Sequence, residues 1–186
     1  KWVEKIANGE KTIEVRKTRP KLETPFKAYI YCTMPDAKDP HNILELHGAD
    51  GKIRKANGKI IGEFTCDRIY EIRKRGIPEN FDYCYLSLNE WGNDDIETEI
   101  RAISASCVSK EELNAYGAKA PLLYGWHISD LLIYDQPREL SEFQRACPNS
   151  WYCESCAMYW ENNGTCGNGS LQLKRPPQSW CYVEEG

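Results

Sequence analysis

Gly9-Glu10-Lys11-Thr12-Ile13-Glu14-Val15-Arg16 is the stretch of sequence that decides the fold of the amino-terminal region. The residues before it place apolar side chains on one helical face, and Gly9 can end that helix because glycine readily adopts the left-handed conformation. From Thr12 onward apolar and polar residues alternate with the period of a strand. The stretch therefore predicts a helix-to-strand junction, with Lys11 at the turn.

The same stretch follows the charge pattern G-x-K-x-x-E-x-R. Ile13 and Val15 are predicted to face one side of the strand, whereas Glu14 and Arg16 face the other. Residues two apart on one strand face are separated by about 7 Å, so these two side chains can contact a single ligand. Lys11, Glu14 and Arg16 are therefore candidate ligand-binding residues.

The pattern resembles the signature of the ASCH domain, a branch of the PUA-like superfamily of small β-barrels associated with RNA and modified nucleosides. The similarity is to a type that bacteria and their phages encode. It continues through four further stretches and covers most of the chain: Tyr29–Thr33, Gly58–Phe64, Tyr124–Ser129 and Arg175–Val183. The resemblance also implies a strand ahead of the first helix, and we expect residues preceding Lys1 to supply it.

Composition favours a folded protein. The chain has 186 residues, of which 41% are hydrophobic, with eleven Tyr and six Trp, enough for one core and a small appendage. It contains no uninterrupted apolar run of membrane-spanning length and no secretion signal, so we expect a cytoplasmic protein. Nine cysteines, an odd number, favour reduced thiols and a metal over a disulfide scaffold.

Charge is unevenly distributed around a formal net value of −4. Residues 1–21 carry a surplus of four positive charges, and residues 52–75 carry a surplus of five. If these segments are neighbours in the fold, they form a local phosphate-attracting patch on an acidic protein. The alternative is an ordinary solvated charged surface.

Turn signals and alternation predict several short strands and few helices. Asp50-Gly51 and Asn57-Gly58 predict turns, with hairpin strands over residues 52–66. Ser109 and Glu112 form a capping box that starts a short helix ending at Gly117. The other predicted elements are a buried strand at 29–33, a loop at 34–42, strands at 67–73, 100–108 and 126–134, the last closed by Pro137, and a final strand within 175–184.

These elements indicate an α+β protein built on a small PUA-like β-barrel. Residues 1–140 are predicted to form the ASCH/PUA-like barrel domain. Residues 141–186 are rich in Cys, Asn, Gly and Ser with few aliphatic residues, so they cannot build a core of their own. We expect this cysteine-rich appendage to be stabilised by zinc and to return to the barrel through the final strand.

Four cysteines have the spacing of a metal site. Cys147, Cys153, Cys156 and Cys166 follow C-x5-C-x2-C-x9-C, and four thiolates suit a closed tetrahedral structural zinc site. Two disulfides or free thiols are the alternatives. Of the other cysteines, Cys181 is either a core residue or an alternative ligand, and four lie in apolar or strand-like contexts that predict core positions: Cys32, Cys66, Cys84 and Cys107.

The resemblance also implies a hydrolase alternative. Some ASCH-domain relatives resemble amidohydrolases of acylated cytidine-type nucleosides, with a Lys that Lys11 matches, a hydroxyl nucleophile and a downstream Glu. Glu14 stands where that subgroup has its nucleophilic Thr, which departs from the hydrolase pattern. Thr12 is the substitute nucleophile, and Glu63 or Glu90 is the candidate downstream Glu.

The preferred hypothesis is binding of RNA, a nucleotide or a modified nucleoside. Lys11 and Arg16 would hold phosphate or base-edge acceptors, and Glu14 would accept from an exocyclic amine or orient Arg16. Trp126 or Trp180 would stack on a base, and the returning tail that carries Arg175 would close one mouth of the barrel. Each has an ordinary alternative, such as an exposed ion pair between Glu14 and Arg16 or a core position for Trp126. A protein-interaction module with a partner-binding appendage is the third hypothesis.

Overall fold

The computed structural model describes residues 1–37, 39–75, 82–86, 104–147, 150–164 and 166–185. The fold is α+β, as predicted, with short helices among more numerous strands. The helices are α1 (Trp2–Ala7), α2 (Lys110–Gly117) and α3 (Ala157–Glu161), together with two 3-10 helices, Leu140–Glu142 and Ser150–Ser155. Within the described ranges no helix combines the length and apolar character needed to cross a membrane.

Eleven strands are present among the described residues. They are β1 (Ile13–Arg16), β2 (Phe26–Tyr31), β3 (Glu45–His47), β4 (Ile53–Lys55), β5 (Lys59–Cys66), β6 (Ile69–Arg75), β7 (Asp82–Leu86), β8 (Leu122–His127), β9 (Ser129–Glu139), β10 (Phe143–Arg145) and β11 (Val183–Glu185). They form sheets of order β1-β8-β6-β7, β2-β5-β9, β3-β4 and β10-β11. In the part of the chain described here, these sheets do not close into a barrel.

The chain divides into two compact units. Unit 1 comprises Lys1–Ile30 and Gly62–Ile133, and unit 2 comprises Tyr31–Ile61 and Tyr134–Gly186. The whole of the predicted appendage, residues 141–186, falls in unit 2. That unit also contains residues 31–61 and 134–140, which the sequence had assigned to the barrel domain.

The core of unit 1 lies against the β1-β8-β6-β7 sheet. Its fully enclosed side chains come from three strands and one helix: Ile13, Val15, Ile72, Leu113 and Leu123. Gly125 lies between β1 and β6 with no room for a side chain, since a Cβ there would stand 2.9 Å from a methyl of Ile13. The predicted alternation in β1 is confirmed, because Ile13 and Val15 are buried and Glu14 and Arg16 are only partly so.

The predicted local boundaries in unit 1 are confirmed. Helix α1 ends with Asn8 as its cap, and Gly9 follows in the left-handed region with φ 73°. The Ser109 side chain accepts from the Glu112 backbone amide, and the Glu112 side chain accepts in return from the Ser109 amide. Both signals act within a few residues of the chain, which is why the sequence reveals them.

The predicted strand over residues 100–108 is wrong where the structure describes it. Residues 104–106 are helical, Cys107 follows in a turn, and residues 100–103 lie outside the described ranges. Cys107 has φ 54°, a left-handed conformation that costs a non-glycine residue about 1–3 kcal/mol and must be held by its surroundings. The sequence there is apolar and small, which is compatible with either structure.

The two strands predicted within residues 52–66 are confirmed as β4 and β5, and residues 60–66 lie in a central strand as predicted, but the two strands do not pair with each other. Both turns exist, with φ 73° at Gly51 and 82° at Gly58. However, β4 pairs with β3 across the first turn, and β5 lies between β2 and β9 in another sheet. The turn residues determine where the chain reverses, whereas the pairing partner depends on residues distant in sequence.

The predicted strand over residues 126–134 is two strands. β8 ends at His127 and β9 begins at Ser129, with Ile128 between them. Pro137 does not close the strand but lies inside β9, which continues to Glu139. β9 is at the edge of its sheet, where a residue without an amide proton is tolerated. The final strand is confirmed in part, since β11 begins only at Val183 and pairs with β10.

Replacing Leu123 with alanine tests the core of unit 1. Its side chain is 0% exposed, so Leu123→Ala should lower the free energy of unfolding by about 2–5 kcal/mol through lost burial and the cavity left behind. Leu132 is 53% exposed, and Leu132→Ala should change it by less than about 0.5 kcal/mol. Urea unfolding followed by circular dichroism measures both. Equal effects of the two substitutions would contradict this core.

Candidate functional site

The candidate site is built around a buried lysine. Lys11 follows the end of α1, and its side chain is only 2% exposed. Its ammonium donates to the Ser106 backbone carbonyl at 2.7 Å and lies 3.4 Å from a carboxylate oxygen of Glu14. The Trp2 ring lies 5.4 Å from the same nitrogen, within cation–π range. A buried charge needs such partners, because an unpaired ammonium is very costly to remove from water.

The turn that carries Lys11 is attached to the segment 104–107 by consecutive contacts. Three residues of one segment bond to three of the other: Thr12 N donates to Ala105 O at 2.8 Å, Lys11 Nζ to Ser106 O at 2.7 Å, and Cys107 Sγ to Glu10 O at 3.3 Å. Two of these acceptors are backbone carbonyls in 104–107, so their residue types carry no sequence signal for the contact. Sequence reasoning therefore missed Ser106.

Glu14 joins the two cations of the pattern. One of its carboxylate oxygens lies 3.4 Å from Lys11 Nζ, and the other lies 3.1 Å from Arg16 Nη2. The side chains become more exposed along the series, from 2% for Lys11 to 17% for Glu14 and 31% for Arg16. The structure thus brings together the three residues that the spacing singled out. Of these, Arg16 offers the most surface to a ligand.

Burial lowers the pKa of Lys11, and the negative charge of Glu14 opposes that shift without cancelling it. The Arg16 charge acts in the same direction as burial, although more weakly. A lysine with a lowered pKa gives up its proton more easily than an exposed one. The site therefore holds a cation whose charge depends on the partners around it.

Trp126 lies directly opposite Glu14 in the β1-β8 register, and Tyr124 lies opposite Arg16. The Trp126 side chain is 6% exposed, and its ring packs edge-to-face against Phe26 with 5.4 Å between centroids. Its surface is therefore largely taken by protein contacts rather than offered for stacking. Arg175, the other predicted ligand residue, is exposed and belongs to unit 2.

A histidine and an aspartate form a pair at the end of β8. His127 Nδ1 lies 2.6 Å from Asp67 Oδ1, and the His127 ring contacts Tyr70 edge-to-face. Burial raises the pKa of Asp67, but the hydrogen bond and charge of His127 outweigh it and the pKa is lowered overall. An oriented imidazole of this kind is a common element of acid–base sites, and the only sequence signal for it was a histidine beside Trp126.

The candidate hydrolase residues have other partners among the described residues. Thr12 uses its backbone amide and carbonyl to bond Ala105 and Ile128. The Glu63 carboxylate pairs with Lys27 at 2.9 Å. Glu90 lies outside the described residues.

Acidic partners lie beside many cations of the two basic segments. In unit 1 the pairs are Lys1 with Glu112, Lys5 with Glu10 and Arg73 with Glu71, and in unit 2 they are Arg54 with Asp50 and Lys59 with Glu139. Residues 52–75 are moreover divided between the units. Because Glu112, Asp50 and Glu139 lie outside the two counted segments, they reduce the local surplus of positive charge below the sequence count.

The four cysteines of the predicted metal site are unoxidised and half-buried in unit 2. The C-x-x-C pair forms a turn, in which the Cys156 amide donates to the Cys153 carbonyl at 3.0 Å. Burial raises the pKa of Cys153, and the charges of Cys147, Cys166, Cys156 and then Glu184 raise it further. Among the described residues, no three His, Cys, Asp or Glu side chains are arranged as a metal site.

The remaining cysteines divide by burial. Cys32 and Cys66 are buried, as predicted for core residues, and burial raises the pKa of Cys66 to about 11. Cys107 is only half-buried and lies in the turn of 104–107, so its predicted core position is wrong. Cys181 is half-buried in unit 2, and the Cys84 side chain lies outside the described set.

Comparison of the sequence with protein-family models gives no match. Comparison with curated proteins gives no match either.

The pH dependence of stability tests the burial of Lys11. Because its folded pKa lies below the ordinary value of about 10.4, the unfolded chain binds more protons between those two values. The free energy of unfolding of the native protein should therefore rise with pH relative to Lys11→Met, by at most about 1.4 kcal/mol per pH unit. Urea unfolding of both proteins between pH 7 and pH 10.5 measures the difference, and ionisations that the two share cancel.

A constant or falling difference would contradict a buried, charged Lys11. Lys52 supplies the matched control, since its side chain is 75% exposed. At pH 7, Lys52→Met should change the free energy of unfolding by less than about 0.5 kcal/mol.

Proposed function

We propose that this protein binds RNA, a nucleotide or a modified nucleoside through Lys11, Glu14 and Arg16, on a PUA-like fold of the ASCH type. The observation that carries the proposal is the placing of one carboxylate between two cations, with contacts of 3.4 and 3.1 Å to Glu14. Such an arrangement presents a donor and an acceptor side by side. Nucleotides offer the complementary pair, a phosphate and a base edge.

The three residues would have different roles. Lys11 is enclosed and bonded to Ser106, so it orients Glu14 instead of reaching the ligand. Glu14 accepts from an exocyclic amine, as carboxylates do from cytosine. Arg16, which is the most exposed of the three, donates to a phosphate. The Glu14 carboxylate, held in place, would select bases that carry an exocyclic amine. The Arg16 guanidinium would add affinity for the phosphate.

Hydrolysis of an N-acylated nucleoside is the second candidate. It is favoured by the lowered pKa of Lys11, since a lysine that releases its proton readily can act as a general base. Against it stands Glu14 at the position of the expected nucleophile. Thr12, the substitute, is adjacent to Lys11 in sequence and half-buried.

We further propose that Cys147, Cys153, Cys156 and Cys166 hold a structural zinc ion. The support is their spacing, the turn at Cys153–Cys156 and the mutual influence of their charges. If the four thiolates gathered around one divalent cation, its charge would offset their mutual repulsion. When bound, zinc would supply folding energy to a segment with few aliphatic residues.

Replacing Arg16 tests the binding proposal. Arg16→Gln removes the exposed cation, so affinity for a fluorescein-labelled single-stranded RNA should fall about tenfold. The slope of log K against log salt should become shallower by about 0.7, the value for one lost phosphate contact. Fluorescence anisotropy at several salt concentrations measures both quantities.

Arg54→Gln is the matched control, because Arg54 is also paired with a carboxylate but belongs to unit 2. It should leave RNA affinity unchanged. Native affinity and salt slope in Arg16→Gln would overturn the assigned site. Release of the acid from an N-acylated cytidine by the native protein, and its loss in Lys11→Met, would favour the hydrolase instead.

Elemental analysis tests the zinc proposal. Protein purified without chelator should contain about one zinc per chain, and Cys153→Ser should reduce that content by more than about half. Cys107→Ser, which alters a cysteine of unit 1, should retain full zinc content. Native protein without stoichiometric zinc would contradict the proposal.

A further inference from the structure

Unit 2 contains a pocket of about 290 Å³ that shares no residue with the Lys11 site. Its wall includes Phe143 and Gln144 from β10, and Cys166, Asn168 and Gln172 from the segment that follows α3. The volume is near the lower end of the range of about 300–1,000 Å³ typical of small-molecule sites. The pocket therefore suits a ligand of nucleoside size.

Three carboxamides in this wall retain hydrogen-bonding capacity. Neither end of the Gln144 amide bonds to another described residue. Asn168 Oδ1 accepts from both Ser170 N and Ser170 Oγ, which leaves its amide donor without a partner among the described residues. Gln172 Nε2 donates to Ser141 O at 2.8 Å, which leaves the side-chain carbonyl oxygen of Gln172 without a partner among the described residues. The wall thus offers both donors and acceptors on planar groups.

The charge in the pocket is already neutralised. Glu142 is the one charged side chain among the described lining residues. Its carboxylate accepts from Arg138 Nε at 2.9 Å and from the Glu139 amide at 2.7 Å, and these contacts lower its pKa. A wall of neutral amides with one internally paired carboxylate favours a neutral ligand over a phosphate or a cation.

Phe143 adds an aromatic component to the wall. Its side chain is 1% exposed, and the Arg138 guanidinium lies 4.5 Å from its ring centroid. The ring is thereby fixed in position. Because the ring is enclosed, a ligand in the pocket would contact mainly the carboxamides.

We propose that this pocket binds a nucleobase, either as a free nucleoside or as an unpaired base of RNA. A base edge alternates donors and acceptors in a plane, and asparagine and glutamine amides pair with such edges. The neutral wall, the volume of the pocket and its mixture of hydrogen-bond donors and acceptors all fit a nucleobase. The site goes beyond the proposed function, because none of its residues belongs to the Lys11 site and it shares only Cys166 with the proposed zinc site.

Titration of the full chain with adenosine, guanosine, cytidine and uridine, each followed by protein NMR, tests the proposal. At least one nucleoside should bind and shift the side-chain amide signals of Gln144, whereas glucose should not. Gln144→Leu removes an amide with both ends open and should weaken that binding about tenfold. Gln144→Glu, of nearly the same shape, should weaken it as well and guards against misfolding of the first variant.

Gln178→Leu is the matched control, since Gln178 is an exposed glutamine of the same unit outside the pocket wall. It should bind like the native protein. If free nucleosides do not bind but Gln144→Leu weakens binding of single-stranded RNA, the base is recognised within RNA. Absence of both effects, or equal binding by native protein and both Gln144 variants, would overturn the proposal.

Discussion

The burial of the Lys11 ammonium is the constraint on which the organisation of the site depends. An ammonium removed from water must be hydrogen-bonded and paired, and here the Ser106 carbonyl and the Glu14 carboxylate meet that demand. Thr12 and Glu10 make parallel contacts to the same segment. The helix-to-strand junction is thereby attached to residues 104–107, and β1 leaves the turn with its polar face in a defined position.

That attachment separates the functions of the three charged residues. Removing one partner of a buried charge pair is far more costly than removing an exposed one, so in the proposed site Lys11 would act mainly by orienting Glu14. Arg16 bonds to the opposite oxygen of the same carboxylate and remains one-third exposed. In the proposed binding role, the guanidinium would contact a ligand beside a carboxylate that is already held in place. A preorganised pair of this kind loses little side-chain entropy on binding.

Structural features that depend on neighbouring residues were predicted correctly from the sequence, whereas features that depend on distant segments were not. The end of α1 at Gly9, the capping box of α2 and the alternation in β1 were predicted correctly, because each depends on neighbours within a few residues. The strand expected at 100–108 and the hairpin expected at 52–66 failed where the structure describes them. Their sequences allow more than one local structure, and pairing with distant segments decided between them. Pro137 failed as a terminator because β9 is an edge strand, a fact of sheet order that the sequence does not contain.

The sequence by itself determined that Lys11, Glu14 and Arg16 share one turn and one strand, because strand alternation places residues 14 and 16 on one face whatever surrounds them. Only the tertiary structure decided that Lys11 is enclosed while Arg16 is accessible. The Ser106 carbonyl that accepts the Lys11 hydrogen bond lies 95 residues away in sequence and belongs to the backbone, which every residue type possesses. The pocket of unit 2 arose in the same way, because its open carboxamides become one wall only when β10 and residues 166–172 are brought together.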